Sequence, residues 1–135
     1  MSDNIVTAER RAEIEAEIEA FMERYHQGFT AGTRDDLQAL VHLPVIYVTE
    51  TGAQVRDGYP FDPVKMRESD LGFHHADTTT RVVHLEETRA HLVIEGLRYR
   101  ADGSVIESIE SFYILHKRDN EWKVSVFSGI RGARA

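Results

Sequence analysis

Between Arg24 and Glu50 the chain changes its hydrophobic period, and that change restricts the folds open to it. Upstream, Ile14, Ile18, Phe21, Met22, Tyr25 and Phe29 recur at the spacing of one helical face, with a charged face opposite. Thr7 is placed to cap that helix and Glu9 to meet the positive end of its dipole, so the pattern predicts a helix over Ala8–Ala31. Gly32 suits the left-handed position just beyond it. Thr33 and Asp36 then form a capping-box pattern for a short helix over Arg34–Val41, with Leu37 and Leu40 as its buried side. Pro44 disfavours helical geometry at Leu43, and Val45–Glu50 reads as the first strand.

The rest of the chain keeps the β period. Thr51-Gly52 turns into a short strand over Gln54–Arg56. Asp62-Pro63 opens a third, lid-like helix that ends near Leu71, with Gly72 as its stop and Phe61 and Met66 spaced as a hydrophobic staple. Thr78–Glu87, His91–Arg100, Val105–Lys117 and Trp122–Ile130 are rich in β-branched and aromatic residues. Asp102-Gly103 and Asp119-Asn120 are hairpin turns between the later strands, and the first hairpin turns within residues 87–90. Three helices followed by consecutive antiparallel strands make an α+β fold, and 135 residues make one domain, 1–135. Along Val105–Lys117 both strand faces carry apolar residues. The helices cover one face, and a homodimer through the sheet is expected to cover the other.

Charge and composition narrow the partners. The net charge of -7 and the crowd of glutamates on the first helix oppose phosphate backbones, so nucleic acid is not an expected partner. The chain has no cysteine, which removes disulfides and thiolate chemistry. The first ten residues lack an apolar signal core, and no apolar run reaches membrane-spanning length, so a cytoplasmic protein without membrane contact is expected. No phosphate-binding or dinucleotide glycine motif and no GxSxG elbow is present, and no cofactor is expected. His74-His75 with Asp77 looks like a ligand cluster, but adjacent residues on an extended chain point apart. No metal is expected there. His74 or His75 entering a cavity beside the lid helix would titrate near neutrality and serve as a base.

The order of elements resembles the nuclear transport factor 2-like superfamily, which includes ketosteroid isomerases, SnoaL-like polyketide cyclases, scytalone dehydratase and limonene epoxide hydrolase. The residues that carry the resemblance are Tyr25, Ala31-Gly32, Asp36-Leu37, Ala39-Leu40, residues 44–50 and the closing Trp122-Lys123-Val124. The resemblance implies a long helix held in a curved sheet, with a cone-shaped cavity between them. In ketosteroid isomerases an oxyanion hole pairs a helix tyrosine with a neutral strand acid. By that resemblance Tyr25 and Glu110 fall on the two donors, and Thr49 stands where the family places an aspartate base. A threonine hydroxyl does not shuttle protons at neutral pH.

Three functions stay open on this reading. One is a cofactor-independent isomerase, lyase or cyclase on a small apolar carbonyl compound, with Tyr25 and Glu110 as donors and His74, His75 or Asp77 as base. Another is a non-catalytic binder of a small apolar ligand, with Tyr47, Thr49 and Phe112 lining the cavity. The last is a dimerising module whose cavity is filled by its own side chains. Tyr25 is as compatible with plain packing as with a pocket donor, and Glu110 with an ion pair as with a raised pKa.

Overall fold

A computed structural model describes the backbone of residues 6–134 and the side chains of residues 6–129. The leading helix, α1, runs Ala8–Ala31, as its periodicity predicts. Thr7 caps it by accepting a hydrogen bond from the Arg10 amide. Its stripe Ile14, Ile18, Phe21, Met22 and Tyr25 is buried throughout. Gly32 departs from the expectation of a left-handed stop, because its φ of -99° and ψ of -165° are extended. The position needs glycine for a different reason: a Cβ there would lie 2.7 Å from the Gly28 carbonyl oxygen. The capping box at Thr33 and Asp36 forms, but α2 ends at Gln38 and not at Val41.

The first strand, β1, spans Val41–Thr49 and so begins before Pro44. Val41 pairs with the last strand, and the ladder is interrupted before it resumes at Ile46. A missing proline N–H is tolerated at such an irregularity. The remaining elements are β2 (Gly52–Arg56), α3 (Pro63–Glu68), β3 (Phe73–Leu85), β4 (Arg89–Arg100), β5 (Val105–Arg118) and β6 (Glu121–Arg134). Asp62 caps α3 through the Lys65 amide, with Pro63 in the first turn. That helix stops three residues short of Leu71, and the left-handed Gly72 (φ 71°) turns the chain directly into β3. β3 starts five residues before its expected beginning at Thr78, because Phe73 is buried and pairs with Arg100. The two later hairpins turn where expected, with positive φ at Gly103, Asp119 and Asn120.

The sheet order is β2-β1-β6-β5-β4-β3, antiparallel except for the parallel β1–β6 pair. One face carries Ala90, Leu92, Ile94, Leu115, Val124 and Phe127, all buried against α1 and α2. Burial of the aliphatic and aromatic side chains larger than alanine stabilises by about 1.5–3 kcal/mol each, which makes this layer the main source of stability. A polar clamp fixes the helix along the sheet: Glu17 Oε1 accepts from both Trp122 Nε1 and Lys117 Nζ, each at 2.9 Å. Those bonds hold the Glu17 carboxyl below its usual pKa. No helix among the described residues is long and apolar enough to cross a membrane.

Gly96 decides how β3 lies. A Cβ at Gly96 would sit 2.0 Å from the Asp77 carbonyl oxygen and 2.8 Å from the Thr78 Cα. Only glycine lets the β3 backbone pass so close over β4. Gly96→Ala is expected to lower the unfolding free energy by about 2 kcal/mol or more, the scale of overpacking a closed site. Urea denaturation followed by circular dichroism checks this; an unchanged midpoint would contradict the close approach.

Candidate functional site

The space inside the cone is occupied by aromatic side chains. Tyr25 on α1 and Tyr59, in the segment before α3, are buried and share a hydroxyl–hydroxyl hydrogen bond. Tyr113 on β5 packs edge-on against Tyr25 with centroids 5.7 Å apart, and edge-on against Phe127 at 4.9 Å. Phe61 meets Phe127 at 5.6 Å and Tyr47 at 5.2 Å. These edge-to-face pairs are favourable in themselves. Tyr59 is held by α2, since its amide donates to Gln38 Oε1 and its carbonyl accepts from Arg34 Nε. Burial pushes the Tyr25, Tyr59 and Tyr113 hydroxyls above the ordinary tyrosine pKa, so all three stay protonated at neutral pH. The cluster supplies hydrogen-bond donors to itself and contains no base.

Strand parity separates the residues that the isomerase resemblance brought together. The β5–β6 ladder is continuous from Glu110 to Tyr113, and Tyr113 points at Tyr25. Glu110, three residues away, therefore points to the other face, where it is exposed. The expected oxyanion pair of Tyr25 and Glu110 is not formed. Phe112 lies on that outer face too, 5.6 Å from the ring of His91, and lines no cavity with Tyr25. Thr49 is spent in the β1–β2 turn, with its hydroxyl 3.1 Å from that of Thr51. Tyr47 does face inward, but against Phe61 and beneath Arg56. His74 is exposed and its Nδ1 lies 3.0 Å from Nδ1 of His75, which stacks on Tyr99. Among the described residues no three His, Asp or Glu side chains converge in a way that could hold a metal.

An open space lies elsewhere, between α1 and β3. It is a groove of about 1110 Å³ with Ile18, Met22 and Val82 at its floor and Glu19, Glu23, His26 and Gln27 along its helix wall. His75 and the Asp77 segment stand at one end. The reason for the space is side-chain size. Where β4 puts Leu92 and Ile94 against the helix, β3 puts Ala76, Thr78 and Thr80 on the same face. Its polar centre is His26, half-buried, with Nδ1 3.2 Å from the Thr78 hydroxyl. Burial pulls the His26 pKa below the ordinary histidine value, so its imidazole is neutral at pH 7. Sequence reasoning passed over His26, Thr78, Thr80 and Tyr59. The run of small residues at alternate β3 positions was a readable signal for the groove, but Tyr59 sits in irregular chain where no period announces it.

The geometry of a helix laid across a curled six-stranded sheet recurs in known proteins. The family model described as NTF2-like protein (DUF6841) matches residues 13–130. The chain belongs to this NTF2-like family. No curated protein sequence matches it. Among solved structures, a protein of unknown function with a cystatin-like fold from Nostoc punctiforme is 10% identical, with 92% of each chain covered and a TM-score of 0.62. A hexachlorocyclohexane dehydrochlorinase from Novosphingobium barchaimii is 14% identical over 93% of this chain and 92% of its own, with a TM-score of 0.59. An NTF2-like protein of unknown function from Shewanella oneidensis is 11% identical, covering 86% of this chain and 98% of its own, with a TM-score of 0.65. At these identities the likeness is one of fold. Within that NTF2-like fold the helix tyrosine of this chain is a packing residue, bonded to a second tyrosine.

Tyr25→Phe is expected to cost about 1–3 kcal/mol, because it leaves the buried Tyr59 hydroxyl without its bond to Tyr25. Thermal and urea unfolding measure it, and no loss at all would show that the hydroxyl network is dispensable. A pH effect follows from the histidines. Burial is the leading cause that lowers the pKa of His26, His91 and His116 in the folded chain. Below about pH 6.5 the unfolded chain takes up protons that these folded sites resist. Stability from this source is full above that pH and falls as the pH drops through it. Urea midpoints at pH 7.5 and pH 5.5 should differ in that direction; equal midpoints would contradict it.

Proposed function

We propose that this NTF2-like chain binds a small, largely apolar molecule in the groove between α1 and β3. The observation that carries the reading is the groove itself: an apolar floor with a half-buried polar pair, His26 and Thr78, in its wall. Specific small-molecule sites combine the same two ingredients, apolar enclosure and a few fixed polar groups that set orientation. The aromatic cluster inside the cone supports this choice of site, since it packs Tyr25 against Tyr59, Tyr113 and Phe127.

A second reading adds chemistry at the same place. A neutral, half-buried imidazole is a competent general base, and the fold is shared with dehydrochlorinases. Proton abstraction by His26 from an apolar substrate is the reaction class that this supports. Chloride release from hexachlorocyclohexane, abolished in His26→Gln, would establish it; no release in the wild type leaves the binding reading alone.

The binding reading is tested by fragment screening with heteronuclear NMR on the wild type and on Thr80→Trp. Thr80 is exposed at the groove and faces the helix, so tryptophan fills the space without entering the core. Hits are expected to shift resonances of His26, Thr78 and Met22 and to weaken by about tenfold or more in Thr80→Trp, the scale set by losing a pocket contact. Hits that ignore the substitution, or shifts confined to other surfaces, would overturn the assignment.

A further inference from the structure

The charged groups along the groove between α1 and β3 are of one sign. Its helix wall carries Glu15, Glu19 and Glu23, each one turn from the next, and among the described residues no lysine or arginine lines it. Like charges at this spacing destabilise a helix. The other glutamates of α1 are compensated within the chain. Glu9 sits in the first turn, at the positive end of the helix. Glu13 meets Arg10 at 2.9 Å, and Glu17 meets Lys117 at 2.9 Å. Even Glu15 is answered from outside the groove, by Arg11 at 2.8 Å. Glu19 and Glu23 differ, since among the described residues neither has an ion pair or a hydrogen bond. Arg81 on β3 does not reach them, because it is held by Glu95 on the far face of the sheet at 3.4 Å.

Beneath these rim carboxylates the groove is apolar, with Ile18, Met22 and Val82 as its floor. His26 lies one turn on from Glu23. Its Nδ1 is 3.2 Å from the Thr78 hydroxyl, and its Nε2 has no partner among the described residues. His91 Nε2 is the one buried side-chain atom without a partner among those residues, so His26 Nε2 is open to the groove. When Nδ1 donates to Thr78, Nε2 is a third acceptor in line with the two carboxylates.

We propose that the occupant of this groove is an apolar compound that carries a protonated amine. The inference rests on the binding reading above and adds the charge of the ligand to it. The hydrocarbon body lies on Ile18, Met22 and Val82, and the ammonium group reaches the rim between Glu19 and Glu23. An ammonium offers three donors and no acceptor, whereas the carboxylates accept and do not donate. A neutral occupant leaves the repulsion between Glu19 and Glu23 as it stands, and an anion adds to it. Complementary charge of this kind sets orientation and refuses wrong partners more than it adds affinity. Both carboxylates are exposed, so the preference is modest and salt weakens it.

The test compares three probes of similar shape, cyclohexylmethylamine, cyclohexylmethanol and cyclohexanecarboxylate. Each is titrated at neutral pH and low salt, with affinity read by heteronuclear NMR from Met22, His26 and Thr78 and folding confirmed by circular dichroism. The amine is expected to bind about fivefold more tightly than the alcohol, the scale of one exposed ion pair, and the carboxylate more weakly than either. Combining Glu19→Gln with Glu23→Gln is expected to remove the amine's advantage while the alcohol binds as before. Glu50→Gln, at an exposed acid away from the groove, is expected to leave the advantage intact. An amine that binds no better than the alcohol overturns the charge assignment and leaves the binding reading standing. An advantage that survives the double substitution, or that Glu50→Gln removes equally, overturns it too. If no probe shifts these resonances, the binding reading falls and this inference falls with it.

Discussion

The seating of one helical stripe on one sheet face is the contact on which the rest of the molecule depends. Ile14, Ile18, Phe21, Met22 and Tyr25 reach the concave side of the sheet, where Leu92, Ile94, Leu115, Val124 and Phe127 wait for them. Neither layer buries its apolar side without the other, and in a folded protein most of a helix's stability comes from packing its apolar face. Glu17 adds direction to this non-directional contact. Its bonds to Trp122 and Lys117 fix where along the sheet the helix comes to rest. Tyr25 does the same further along, through Tyr59 and the α2 residues that grip it.

Much of the architecture was legible because it rests on period and on turn chemistry. α1 was readable to the residue, since its stripe is regular and Thr7 caps it. The hairpins at Gly103 and at Asp119-Asn120 were readable because few residues tolerate positive φ. Element ends governed by tertiary contact were not. Phe73 extends β3 because a partner strand and a core lie within reach, and nothing local to Phe73 announces either. The early start of β1 is similar, because Val41 is recruited by the parallel ladder to β6.

The site was less legible than the fold, and the reason is parity. Resemblance placed Tyr25 and Glu110 together as a donor pair, but a strand residue belongs to one face or the other, and Glu110 shares its face with Phe112's outer neighbours rather than with Tyr113. Family likeness transfers an outline of elements; it does not transfer the register that decides which side chains meet. His26 escaped notice for the opposite reason. It adjoins Tyr25 on a helix rich in charge, and only the curl of β3 brings Thr78 to it.

That curl, permitted by Gly96, separates two duties that many small domains ask of the same residues. The layer that holds the chain folded is built from α1, β4, β5 and β6, whereas the groove takes its shape from short side chains on the outermost strand. Lineages can therefore vary Ala76, Thr78 and Thr80 and change what fits beside the helix while the folding core stays intact. Chains of the same shape, with one residue in ten in common, are free to differ in the space beside that helix.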